Sequence, residues 1–306
     1  MTSAIQVDRI SKRFSSGKEG ITALKDITFN VAKGELFGLV GPDGAGKTTL
    51  FRILTTLMLA DSGTASVEGF DVVKDFKEIR KRVGYMPGKF SLYPDLSVAE
   101  NLAFFATLFN TSLKENYELV KAIYQQIEPF EKRKAGALSG GMKQKLALSC
   151  ALIHRPSVLF LDEPTTGVDA VSRKEFWELL RGLQDAGISI LVSTPYMDEA
   201  SLCDRVALMQ EGKIMDINSP KGITENFGKP LYAVRNSNMY ELMQRLKTHP
   251  AVESCYPFGQ HHHVVFKNST LSEEEIRSLI APLAGAFEVR RIEASIEDSF
   301  MKLMHQ

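Results

Sequence analysis

Short, fully apolar runs alternate with longer amphipathic stretches along this chain, and the alternation predicts a layered α/β protein. Partly alternating patterns over Ile5 to Phe14 and Ile27 to Val31, joined by the Ser/Gly-rich stretch Ser15 to Gly20, predict an antiparallel β layer. Glu35 to Val40 reads as a buried strand that runs into a glycine-rich turn and then a helix, Lys47 to Leu59. Two further apolar runs, Ser157 to Leu161 and Ser189 to Ser193, flank a helix over Ser172 to Ala186 that Gly187 closes, so the core is expected to hold parallel strands. A helical lobe, about 92–153, is expected between the first and second of these strands, with helices over Val98 to Phe109 and Lys114 to Ile127. After Asn218-Ser219-Pro220 the pattern changes to strand Leu231 to Arg235, helix Met239 to Lys247, strands Val252 to Tyr256 and His263 to Phe266, helix Glu273 to Ala284 and strand Phe287 to Ile292. That βαββαβ order predicts a small ferredoxin-like α+β domain, which divides the chain into domains 1–219 and 220–306.

Composition narrows the function classes. The 37 basic and 37 acidic residues cancel, which argues against sequence-wide attraction for nucleic acid or anionic lipid. Cys150, Cys203 and Cys255 are odd in number and lack CxxC spacing, so disulfides and structural zinc are not expected and a reducing, cytosolic setting is. Met1 to Asp8 has no apolar core of secretory type. The longest apolar run, Leu102 to Phe109, falls short of the roughly 18 residues of a bilayer span and follows a capping-box pattern, Ser97 and Glu100. A membrane would therefore be reached by docking on another subunit.

Three motifs carry chemistry. Gly41-Pro42-Asp43-Gly44-Ala45-Gly46-Lys47-Thr48, with Thr49 following, fits a G-x4-GK[ST] phosphate loop placed between a strand and a helix. Its backbone N–H groups would close around phosphates, Lys47 would reach the terminal ones, and Thr48 could hold Mg2+. A chance glycine-rich turn is the competing reading of the loop alone. Val158-Leu159-Phe160-Leu161-Asp162-Glu163 is an apolar strand ending in two acids, where Asp162 would bind Mg2+ and Glu163 would orient an attacking water. Leu138-Ser139-Gly140-Gly141-Met142 precedes a helix, so Ser139 and the N–H groups of Gly140 and Gly141 form a candidate anion site.

In chain order, a Gly-rich phosphate loop, an LSGG-type signature at Leu138 to Gly141 and a strand ending in Asp-Glu, the three motifs resemble the nucleotide-binding subunit of ABC transporters, over roughly Ile5 to Ser219. The resemblance implies a P-loop ATPase fold, ATP and Mg2+ as ligands, and a head-to-tail dimer in which one chain's phosphate loop and the other's signature helix clamp each nucleotide. It also implies a membrane permease as partner and a place on the cytoplasmic face of the cell membrane. Asp169, in Thr166-Gly167-Val168-Asp169, matches the loop that links the two sites across such a dimer. Phe14 stands where the family sets an aromatic against adenine, with a core phenylalanine as the alternative. The C-terminal domain resembles that of exporter-type, multidrug subunits, which favours efflux over import.

Two positions depart from the family. Gly88, in Gly84-Tyr85-Met86-Pro87-Gly88, stands where glutamine is usual, and Pro195, in Leu191-Val192-Ser193-Thr194-Pro195, stands where histidine contacts the γ-phosphate. Neither supplies a polar side chain, so slow hydrolysis with intact ATP binding is expected. An asymmetric pair with a more active second subunit and a slow homodimer both fit. A nucleotide-gated clamp with little turnover and a soluble non-transport ABC ATPase are the alternatives to a transporter motor.

Other features are less specific. Lys89 to Asp95, with Phe90, Leu92 and Tyr93, resembles the surface that receives a permease's coupling helix, or else packs on the helical lobe. His261-His262-His263 in a strand would point to alternate faces, which disfavours a metal site. Ser295 to Phe300 resembles the closing segment of exporter subunits, a terminal helix that packs back on the domain.

Overall fold

The computed structural model describes residues 3–15, 20–89, 92–280 and 287–304. Most of the expected connection Ser15 to Gly20 lies outside them, as do Phe90 and the C-terminal part of the expected helix to Ala284. The chain forms two compact units, Met1–Pro220 and Lys221–Gln306.

In the first unit β1 (Ser3–Phe14) and β2 (Ile21–Ala32) lead to β3 (Leu36–Val40) and α1 (Lys47–Leu54). Then come β4 (Ser62–Val67), β5 (Phe70–Asp71), α2 (Phe76–Arg82) and β6 (Val83–Met86). The helical lobe contains α3 (Val98–Leu108), α4 (Leu113–Tyr124) and α5 (Gly140–Leu152). The unit continues with β7 (Val158–Asp162), α6 (Ala170–Asp185), β8 (Ser189–Thr194), α7 (Met197–Ala200), β9 (Arg205–Gln210) and β10 (Lys213–Asn218).

One antiparallel sheet runs β2-β1-β4-β5, and a six-stranded sheet runs β10-β9-β3-β8-β7-β6. Strands β9, β3, β8, β7 and β6 of the larger sheet are parallel, with β10 antiparallel at the edge. The expected strands β3, β7 and β8 lie side by side at its centre, and every residue of all three is buried, which is why they read as unbroken apolar runs. Phe51 of α1 and Phe160 of β7, both fully buried, meet edge to face with centroids 5.9 Å apart. Such a pair adds about 0.5–1.5 kcal/mol beyond its buried area and ties the helix after the phosphate loop to the strand that carries the acids.

The helix expected over Lys47 to Leu59 stops at Leu54. The Thr55 hydroxyl donates back to Phe51 O at 2.7 Å and Thr56 takes a left-handed φ of 64°. Leu57 and Leu59, which suggested continuation, are exposed. In the lobe, Ser97 with Glu100 and Ser112 with Glu115 form reciprocal capping boxes that fix where α3 and α4 begin.

In the second unit α8 (Pro220–Glu225) precedes β11 (Leu231–Asn236), α9 (Met239–Thr248), β12 (Val252–Phe258), β13 (His261–Phe266), α10 (Glu273–Ile280), β14 (Phe287–Ile292) and α11 (Ile296–Met304). The antiparallel order β12-β13-β11-β14 is that of a ferredoxin-like sheet. A core of Val234, Leu242, Leu246, Val264 and Ile276 joins it to α9 and α10. The segment Ser295 to Phe300 starts α11, which is fastened within the same unit by Ser299 Oγ donating to Ile223 O (3.1 Å) and Lys302 Nζ to Phe227 O (2.6 Å).

The three histidines diverge. His261 faces Glu288 at 3.6 Å, His262 Nε2 lies 2.8 Å from Met239 O, and His263 Nδ1 pairs with the buried Asp298 at 2.6 Å. Among the described residues no group of three or more His, Cys, Asp or Glu side chains could hold a metal ion. No described helix is long and apolar enough to cross a membrane.

Candidate functional site

The phosphate loop lies between the C-terminal end of β3 and the N-terminus of α1. Gly41 N donates to Thr194 O (3.3 Å), Ala45 N to Pro42 O (3.2 Å), and Gly212 N, from the β9–β10 turn, to Ala45 O (3.0 Å). Gly46 is the N-cap of α1 with φ 104°, and a Cβ there would come within 2.4 Å of Ala23 O in β2. Only glycine accepts both that dihedral and that approach. No side chain caps α1, so the first-turn amides of Lys47, Thr48 and Thr49 keep their donors for an anion. Asp43 and Gly44 are exposed at the loop's tip, while Pro42, Thr48 and Thr49 are half-buried.

Lys47 is 3% exposed, and its ammonium donates to Gly41 O (2.7 Å) and Pro42 O (3.0 Å). It also lies 3.1 Å from Glu163 Oε1, which brings the loop and the second acid together. Asp162 ends β7 at 2% exposure, and its Oδ1 accepts from Ser193 Oγ at 2.7 Å. Glu163 has a left-handed φ of 51°, held by its N–H donating to Ser193 O (3.1 Å) and Oγ (3.0 Å). Such a backbone costs on the order of 1 kcal/mol or more and persists only where its surroundings impose it. The donor set fits a magnesium nucleotide: bare amides and an ammonium for phosphates, and the hard oxygens of Thr48 and Asp162 for the cation.

Ser139 is the exposed N-cap of α5 and accepts from Met142 N at 3.4 Å. Gly140 is exposed, but Gly141 is buried against Ser172, whose Oγ would lie 2.7 Å from a Cβ there. Asp169 N-caps α6 by accepting from Val171 N and Ser172 N, and these bonds hold its carboxyl below the usual range. Phe14 is 38% exposed at the end of β1, with the Lys12 ammonium 5.8 Å from its ring centre, so it is not a core residue.

Gly88 follows β6, and a Cβ built on it would meet Asp162 O at 2.9 Å. The absence of a side chain therefore accompanies a close backbone approach as well as a missing polar group. Pro195 follows directly on β8 and is half-buried. Tyr93 packs edge-on against Phe104 of α3 at 4.8 Å yet stays 46% exposed. Beside it a cleft of about 910 Å³ opens between the lobe and the core, lined by Tyr85, Met86, Leu92, Phe105, Leu108 and His154 among others.

Sequence reasoning missed Ser193, whose hydroxyl accepts from Glu163 N and donates to Asp162, and the buried Glu199, whose carboxylate accepts from the hydroxyls of Thr165 and Thr194. Ser193 and Thr194 break an apolar strand with two hydroxyls, a signal that could have been read. Glu199 gave none, because an Asp-Glu pair in a short helix looks like solvated surface.

A family model described as ABC transporter matches residues 24–166. The chain is 37% identical over 304 residues to the probable multidrug ABC transporter ATP-binding protein YbhF of Escherichia coli, covering 98% of this chain and 52% of that protein, so it spans about half that relative's length. It is 34% identical to the Nod factor export ATP-binding protein I of Burkholderia lata, over 98% of this chain and 96% of that protein. Among solved structures, the dimeric post-hydrolysis state of the ATP-binding cassette MJ0796 bound to ADP and Pi superposes with a TM-score of 0.64 at 25% identity, over 70% of this chain and 98% of that one. The phosphate loop, Ser139 and both acids fall within the matched residues 24–166, and the chain belongs to the family of ABC transporter ATP-binding proteins.

Proposed function

We propose that this chain binds and hydrolyses ATP to drive a separate membrane permease of export type, and that its own site turns over slowly. One observation carries the reading: the uncapped start of α1 and the Lys47 ammonium share a loop that Glu163 reaches at 3.1 Å. The first-turn amides of α1, Lys47 to Thr49, and the Lys47 ammonium take the phosphates, and Phe14 packs against the base. Thr48 and Asp162 would hold Mg2+, which would supply charge neutralisation at the phosphates. Glu163 orients water and accepts its proton.

Ser139, Gly140 and Gly141 then cap the nucleotide of a second nucleotide-binding chain, identical or different, and Asp169 lies where the two sites communicate. The permease docks in the cleft beside Tyr93, on the cytoplasmic face of the membrane. The multidrug and Nod factor export relatives support export as the direction. Cargo meets the permease, so no residue here is assigned to it.

Slow turnover follows from Gly88 and Pro195. Each missing polar contact to developing charge is worth about 3–4 kcal/mol, or 100- to 1,000-fold in rate. The same two residues favour a second reading, a clamp that closes on ATP and regulates an assembly with little hydrolysis. Purified chain should release phosphate far below the roughly 10 per second typical of enzymes. Turnover near that value contradicts the slow site. Membrane fractionation only with a co-expressed permease supports the motor, and soluble behaviour in every combination supports the clamp.

A further inference from the structure

Two residues after Glu163, Thr165 Oγ1 donates to Glu199 Oε1 at 2.7 Å. The other oxygen of the same carboxylate accepts from Thr194 Oγ1 at 2.5 Å. All three side chains are buried: Thr194 is 0%, Thr165 1% and Glu199 2% exposed. Thr194 is the residue before Pro195, its carbonyl accepts from Gly41 N of the phosphate loop, and its hydroxyl also accepts from Tyr196 N at 3.0 Å. Arg173, in the first turns of α6, lies 3.9 Å from Glu199 and over the Tyr196 ring at 4.9 Å.

A buried carboxylate is retained only where hydrogen bonds compensate its desolvation, and here both oxygens are occupied by hydroxyls, one from the loop after β7 and one from the last residue of β8. Those two segments border the candidate site. One carries Glu163 in its left-handed backbone and the other borders the phosphate loop.

Building on the proposed ATPase reading, we propose that Glu199 is a positioning residue, which through Thr165 and Thr194 fixes Glu163 against the phosphate loop. With no histidine at position 195, this clasp takes on the alignment of that edge of the site. Misplacing a catalytic group by about 1 Å costs on the order of 100-fold in rate, while phosphate binding by loop amides is little affected.

The test compares wild type with Thr165→Val, Thr165→Ser and Glu199→Gln as full chains. Single-turnover cleavage of labelled ATP by excess protein gives the rate, and a fluorescent ATP analogue gives the Kd. Thr165→Val and Glu199→Gln should lower the rate about 10- to 100-fold with Kd within about twofold, and Thr165→Ser should restore it. Equal rates in wild type and Thr165→Val overturn the inference and leave the ATPase reading standing. Parallel loss of binding and rate, without rescue by serine, marks a merely structural contact and also overturns it. Wild type that neither binds nor cleaves ATP removes the ATPase reading, and the inference with it.

Discussion

The Lys47 ammonium lies 3.1 Å from the Glu163 carboxylate, so the residue proposed to hold phosphate and the residue proposed to activate water are paired across the site. On that reading an arriving phosphate would compete with Glu163 for that ammonium and would free the carboxylate to meet a nucleophilic water. Glu163→Gln keeps the shape and removes the charge. It should leave ATP affinity unchanged or slightly higher and cut turnover by roughly 100- to 10,000-fold, measured by phosphate release beside a direct binding assay. Unchanged turnover would remove Glu163 from the mechanism.

The two family departures are not equivalent. Pro195 is half-buried at the end of β8, and Pro195→His restores a side-chain donor there. Gly88→Gln adds a Cβ that would press on Asp162 O at 2.9 Å, so the loop must shift to accept it. Steady-state turnover should rise about 10-fold or more in Pro195→His and rise less, or fall, in Gly88→Gln. A gain confined to Gly88→Gln contradicts this ordering.

Gly46→Ala tests the loop's geometry. Its φ of 104° and the contact of 2.4 Å with Ala23 O leave no strain-free solution for a side chain. A loss of about 1–3 kcal/mol in unfolding free energy is expected, with nucleotide binding lost before the fold is. Near-normal affinity in a calorimetric titration would count against the loop as the phosphate site.

The second unit carries a pH signature. Burial pushes the Asp298 carboxyl up, but its bonds to His263 and Ser295 outweigh this and hold it below the usual range. A depressed carboxyl stabilises the fold above its unfolded value of about 3.9, and that stability is lost as pH falls through the folded value. Asp298→Asn should cost about 1–3 kcal/mol at neutral pH and melt with a flatter acid dependence below about pH 4. Identical melting profiles would show that the pair contributes nothing.

Much of this was legible in the sequence because the central strands are buried on both faces and the loop glycines stand at fixed spacing. The ferredoxin-like order was legible too, since β11 to β14 alternate cleanly with two amphipathic helices. Other elements were not. In β4, Ser62 to Val67 is mostly small and polar and sits inside a sheet by pairing with β1 rather than by apolar pattern. Leu57 and Leu59 suggested a longer α1, yet Thr56 turns the chain and leaves them exposed. The hydroxyls of Ser193 and Thr165 make contacts between residues about 30 positions apart, Ser193 with Asp162 and Glu163 and Thr165 with Glu199, and which residue each one meets is not encoded in any local pattern.

The most direct test is calorimetric titration of magnesium ATP into the purified chain and into Lys47→Ala. Saturable heat at one nucleotide per chain, abolished in Lys47→Ala, is the predicted result. No heat from the unaltered chain, or the same isotherm from both proteins, would contradict the assignment of this loop as the seat of nucleotide binding.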